Sequence, residues 1–137
     1  DFLIDKKLEY ENIVNVGKGN SIEVIENTEN ICEKLLKNQE LGTAVFACND
    51  LMAVGVVNAC TKLNLRVPQH ISVVGFDNTL LSSINHPRIT TVDLQMKTIG
   101  NDSAMCIIEM IKRKTTKIEK RVYQTKLIVR DSCLKTK

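Results

Sequence analysis

Two short runs constrain this chain more than anything else in it: Thr43-Ala-Val-Phe-Ala-Cys48 and Ile71-Ser-Val-Val-Gly-Phe76. Each is almost continuously apolar, without the in-out alternation of a half-solvated strand, which is the pattern of strands covered by helices on both faces of a parallel sheet. Each stops on a polar residue, Asn49 after the first and Asp77 after the second. Between them, residues 50–64 place Ala53, Val56, Val57, Cys60 and Leu63 along one helical stripe, and Pro68 then breaks the chain before the second run. A strand, a helix and a second strand with connections of this length form the crossover unit of a parallel sheet. Leu51 and Val54 fall off the main stripe, and a second apolar stripe calls for a second partner.

The flanking segments extend the same rhythm and then break it. Residues 12–17, β-branched and ending at Gly17, predict a strand running into a turn. A helix should follow from Ser21, with Ile25, Ile31, Cys32, Leu35 and Leu36 on one side and Asn20 with Glu23 fitting a capping box. Beyond Asp77 comes a polar loop, 78–89, around His86-Pro87, then a short extended piece, Thr90 to Leu94. An amphipathic helix carrying Met96, Ile99, Ala104, Ile107, Ile108 and Ile111 closes on the basic Lys112 to Lys114, and Val122 to Val129 predicts a last strand. Asp1 to Lys7 reads as the tail of a helix with neither initiator Met nor cap, as expected of a cut from a longer protein. The fold class is therefore α/β, a parallel sheet flanked by helices.

Composition removes several function classes. With 137 residues and 43% apolar content the chain can bury one core, and a formal charge of +3 does not make a nucleic-acid surface. No run approaches the roughly 18 to 20 apolar residues of a membrane span, and the first residues lack the features of an export signal. The five cysteines form no C-x-x-C pair and do not cluster with His70 or His86, so they are expected to be free thiols in a reducing cytoplasm, without metal. Ser82 and Ser83 sit outside any nucleophile elbow, Gly17-x-Gly19 lacks the third glycine of a dinucleotide loop, and no phosphate-binding P-loop is present. No catalytic residue and no cofactor are expected. The basic stretch from Lys112 to Arg121 includes Glu119 and no aromatic residue, which fits a solvated connector better than a phosphate track.

In open parallel sheets ligands sit beyond the carboxyl ends of the strands. That rule selects Asn49 and Asp77, an amide and a carboxylate suited to the hydroxyl or ring-nitrogen groups of a sugar or nucleobase. Composition alone leaves the alternative open: Asn49 as a helix cap, Asp77 as a turn opener with Asn78. For Glu23 capping is a sufficient explanation.

The blocks TAVFACND at 43–50, LNLRVP at 63–68 and ISVVGFDN at 71–78, in this order, resemble the effector domain of LacI/GalR regulators, whose pattern runs roughly T-A-[IV]-F-x-x-N-D, L-x-[VI]-P, then [IV]-S-[VI]-[VI]-G-[FY]-D. The similarity continues through HPRITTV at 86–92 and LIVRDS at 127–132, close to that family's P-x-[LI]-T-T-[VI] and L-x-x-R-x-S.

The resemblance implies a periplasmic-binding-protein-like type I lobe, part of a two-lobed domain that holds a small effector between its lobes. On this reading residues 1–92 are part of the C-terminal lobe, 93–120 cross the hinge and supply a helix to the N-terminal lobe, and 121–137 return as a strand and tail. It implies effector contacts at Asn49 and Asp77, with further positions near Glu23, Leu94 and Met96. None of these three is aromatic, a departure that counts against a ring-stacked effector. It also implies a homodimer formed through Leu51, Val54 and the loop carrying Ile84, operator DNA reached only through a separate head domain, and an effector-binding arginine upstream of Asp1. A solute-binding protein of a transport system shares the fold and is the alternative; the five thiols argue against export.

Overall fold

A computed structural model describes residues 13–17, 19–40, 42–114, 116 and 120–134. Its elements are α1 (Ser21–Lys37), β1 (Ala44–Phe46), α2 (Asp50–Lys62), β2 (Ser72–Val74), α3 (Leu80–Ile84), β3 (Thr91–Asp93), α4 (Met96–Arg113) and β4 (Lys126–Ile128). The expected helix tail at Asp1 to Lys7 lies outside the described residues.

β1 and β2 pair in parallel with Ala44 opposite Ser72 and Phe46 opposite Val74. Bonds from Ser72 N to Thr43 O and from Ala47 N to Val74 O extend this ladder at both ends. A parallel bridge between Val74 and Thr90 joins the continuation of β2 to the start of β3, and β3 pairs antiparallel with β4. The parallel rhythm therefore stops after Asp77, where the sequence pattern also breaks.

The core lies between α1, α2 and one face of the sheet. It is built from Cys32, Ala47, Ala53, Val56, Val57, Ala59, Cys60, Ile71, Val73 and Ile89. α1 and α2 approach closely because Gly55 faces α1: a Cβ there would lie 2.7 Å from both the Ile25 carbonyl oxygen and Thr28 Cβ. Thr28 is itself buried and returns its hydroxyl to Val24 O at 2.7 Å, which removes the cost of placing a polar group at the seam. Glu29 rims this contact, bonded to Asn58 and paired with Lys62.

Three expectations need correction. Residues 13–17 form no strand, and Ile13 is exposed; a β-branched run makes a strand only where a neighbour completes its ladder, and no described segment lies alongside. The turn is present, with Asn15 Oδ1 accepting from Gly17 N at 2.9 Å and Gly17 at φ +81. β1 is covered on one face only: Val45 turns inward, whereas Ala44 is exposed and Phe46 is 63% exposed. The final strand is shorter than 122–129, because only Lys126–Ile128 find partners on β3.

α4 has the predicted amphipathic pattern but no buried residue, and Met105, Ile107, Ile108 and Ile111 are exposed. It is attached to the rest through β3 and β4, with Tyr123 donating to Asp102 at 2.9 Å and the Gln95 side chain donating to Gln124 O. β3 and β4 thus form a two-stranded neck between the core and this helix. No helix among the described residues is long and apolar enough to cross a membrane.

Candidate functional site

The in-register pairing of β1 with β2 decides where the two singled-out residues lie. Asn49 and Asp77 follow Phe46 and Val74, which are paired, by the same number of residues, so both emerge at the carboxyl edge of the sheet. On the two segments that lead to them, Phe46 and Phe76 meet edge to face, ring centroids 6.4 Å apart.

Asn49 caps α2, its Oδ1 accepting from Met52 N at 2.9 Å. That bond assigns the amide: the oxygen is engaged and the NH2 group makes no bond to a described residue. Asp77 is held through its backbone, which donates to Val92 O at 3.0 Å, while its half-buried carboxylate accepts nothing from described residues. Among the described residues, therefore, the Asn49 NH2 group and the Asp77 carboxylate at this edge both lack a hydrogen-bond partner.

Asp77 and Asn78 both take positive φ, 99° and 52°. Asp and Asn are among the few non-glycine residues that tolerate this region, but two in succession need external support. Asp50, completely buried, supplies much of it. Its Oδ2 accepts from Thr79 N at 2.6 Å and Thr79 Oγ1 at 2.9 Å, and its Oδ1 from Thr91 Oγ1 at 2.6 Å. Thr91 Oγ1 in turn accepts from Asn78 N at 3.3 Å. Gly75 permits this arrangement, since a Cβ there would stand 2.5 Å from Asp50 Oδ1.

Arg130 braces the loop from the other side. Its Nη2 donates to Asn78 Oδ1 at 2.7 Å, and its Nη1 to Ile89 O at 2.8 Å and Ser82 Oγ at 3.0 Å. Next to it, buried Ser132 Oγ accepts from Thr90 N at 2.8 Å and donates to Val73 O at 2.5 Å, fixing the return segment between β2 and β3. Arg88 and Asp131 close the same seam at the surface, bidentate at 2.7 and 3.1 Å. The guanidinium hydrogen bond holds the Asp131 carboxyl below its ordinary range.

The other candidate positions separate from this cluster. Glu23 is exposed and completes the capping box, accepting from Asn20 N at 3.0 Å; no described contact takes it to Asn49 or Asp77. Leu94, half-buried, lies just past β3, two residues beyond the carbonyl that Asp77 N–H reaches, and Met96 opens α4 exposed to solvent. Of the dimer candidates, Ile84 is 57% exposed on α3 beside the still more exposed Leu80. Leu51 is half-buried, and Val54, expected on an outer stripe, packs in part against the core of its own chain.

Local pattern gives no role to Asp50, Thr91, Arg130 or Ser132, although all four stand inside the quoted motifs. A charge directly after a buried-type strand was the available signal for Asp50. Nothing local points to Arg130, whose guanidinium partners lie more than forty residues away.

Residues 6–133 match the family described as periplasmic binding protein-like domain. The probable HTH-type transcriptional repressor ExuR of Bacillus subtilis (strain 168) is 41% identical over 100 residues, covering 73% of this chain and 30% of that protein. Among solved structures, the lac repressor dimer bound to operator and the anti-inducer ONPF aligns with a TM-score of 0.69 at 29% identity, covering 79% of this chain and 37% of that one. The transcriptional regulator CelR-cellobiose complex aligns with a TM-score of 0.76 at 25% identity, covering 95% and 39%. The chain thus spans about a third of the length of the proteins it matches. With the family match running through nearly its whole length, this chain belongs to the periplasmic binding protein-like domain family, in the form found in LacI-type transcriptional regulators.

Proposed function

We propose that this chain is the effector-binding and dimerisation region of a LacI-type transcriptional repressor, sensing a small metabolite of the sugar class and controlling DNA binding by a separate head domain. The observation that carries this reading is the free amide NH2 of Asn49 and the free carboxylate of Asp77 at one sheet edge, a hydroxyl-binding pair on a fold whose relatives are repressors. The cellobiose bound to CelR supports a sugar, and the operator-bound lac repressor dimer supports a homodimer reaching DNA. The protein acts as a binding switch inside the cell, not as an enzyme: effector binding differs between two lobe arrangements by on the order of 1–3 kcal/mol and shifts the DNA-competent population.

On this reading residues 1–92 belong to the C-terminal lobe, 93–120 carry the chain across the hinge and give α4 to the N-terminal lobe, and 121–137 return. The bare apolar face of α4 supports that division, because an amphipathic helix of this length is stable when its face is covered. Leu94 and Met96 lie where the crossing leaves the rim and complete the effector contacts, with Glu23 at the margin. Ile84 and Leu51, with the outer part of Val54, form the homodimer contact.

A thermal-shift panel on the full-length protein tests the reading, with cellobiose, lactose, D-ribose, D-glucose and purine bases as probes. A rise in melting temperature confined to one sugar class is expected, since selective binding to the native state stabilises it. A shift with purines alone, or with none of the sugars, contradicts the sugar assignment.

A further inference from the structure

We propose that Arg130 is the positioning residue of the rim loop, holding residues 77–79 from the base of the β3–β4 neck so that Asp77 keeps its place at the carboxyl edge of the sheet. The functional meaning of this rests on the reading of Asp77 as an effector contact.

Arginine in a folded chain ordinarily finds a carboxylate. Arg130 is half-buried and has no carboxylate within ion-pair distance among the described residues; its guanidinium is instead distributed over three neutral acceptors on three segments. Asn78 Oδ1 belongs to the rim loop, Ser82 Oγ to α3, and Ile89 O to the approach to β3. The backbone N of Arg130 also donates to Thr90 Oγ1 at 2.9 Å, so the residue is anchored to β3 on its own side. Asn78 is the second of the two residues at positive φ, and Arg130 grips it at the side chain while Thr91 holds it at the backbone. An ion pair would tie Arg130 to one point; three neutral acceptors make it a brace between three segments. Its location two residues after β4 also places this brace where the return strand leaves the neck.

The positioning can be read without any ligand. In the native fold the amides of Asp77, Asn78 and Thr79 are all hydrogen bonded, to Val92 O, Thr91 Oγ1 and Asp50 Oδ2. Hydrogen exchange of these amides is measured on the full-length protein carrying Arg130, Arg130→Ala or Arg130→Lys. The expected result for Arg130→Ala is exchange faster by about ten- to hundredfold at residues 77–79, the range of a lost charged hydrogen bond, with Val56, Val57 and Val73 unchanged. Arg130→Lys, which keeps the charge but cannot span all three acceptors, is expected to fall between the two. Unchanged exchange at 77–79 overturns the proposal, and so does an increase spread evenly over the core, which is the mark of a merely structural residue. Effector binding by Asp77→Ala is a separate measurement: if it is normal, the effector reading fails while the exchange result stands.

Discussion

Thr91 donates its hydroxyl proton to Asp50 at 2.6 Å across 41 positions of sequence, and this one bond joins the start of α2 to the first residue of β3. Through the other oxygen of the same carboxylate, Thr79 is drawn in as well, at 2.6 Å from its backbone N. The buried side chain of Asp50 is satisfied by the three donors that surround it. The rim loop is consequently part of the core's hydrogen bonding, not an appendage to it.

Removing that carboxylate should be costly. Asp50→Ala strands the buried hydroxyl of Thr91 and frees the two donors of exposed Thr79 that fix the rim loop, and a loss of about 1–3 kcal/mol in unfolding free energy is expected from urea denaturation of the full-length protein. The double variant Asp50→Ala/Thr91→Val should recover part of it, since the hydroxyl left unpaired is then gone. A single-variant loss within about 0.5 kcal/mol, the range of ordinary surface substitutions, would show that Asp50 is not the hub.

The two tight glycines should behave alike for different reasons. Gly75→Ala drives a methyl to 2.5 Å from Asp50 Oδ1, which three hydrogen bonds prevent from moving, and Gly55→Ala drives one against α1 backbone at 2.7 Å. Each should destabilise by about 1–3 kcal/mol. Gly75→Ala should in addition disturb the rim, visible as changed amide shifts at Asn78 and Thr79; Gly55→Ala should leave those shifts alone.

The buried thiols set an alkaline limit. Burial, reinforced by the neighbouring Cys32, pushes the Cys60 thiol up from 9.0 to about 11. In the unfolded chain it ionises near 9.0, so folding keeps a proton that unfolding releases. The stabilisation is complete below that value and disappears as pH rises toward about 11. The denaturation midpoint should therefore fall between these values, and fall less steeply in Cys60→Ala. Alkylation at neutral pH should reach exposed Cys48 well before Cys32 or Cys60.

How much of this was legible in the sequence follows from the range of each interaction. Asn49 and Asp77 could be placed because one local pattern, a buried strand ending on a polar residue, occurs twice with a helix between, and parallel pairing then brings the ends together. The capping box of Asn20 and Glu23 was legible for the same reason, being closed within four residues. Arg130 and Ser132 were not, since their partners sit on β2, α3 and the approach to β3, and no periodicity encodes an encounter across that distance. The strand expected at 12–17 failed for the converse reason: extended propensity was present at Ile13 and Val14, but pairing depends on a neighbour that local pattern does not reveal. Both-face coverage of β1 failed at Phe46, where the described helices pack on the opposite face.

The most direct measurement is calorimetric titration of the full-length protein and its Asp77→Ala and Asn49→Ala variants with the sugar that raises the melting temperature, alongside operator binding by the same preparations. A loss of about ten- to hundredfold in sugar affinity in each variant, with the Asp77→Ala variant still binding operator but no longer responding to the sugar, is the expected result. Sugar affinity and response at the level of the unaltered protein in Asp77→Ala would contradict the assignment of this rim as the effector site.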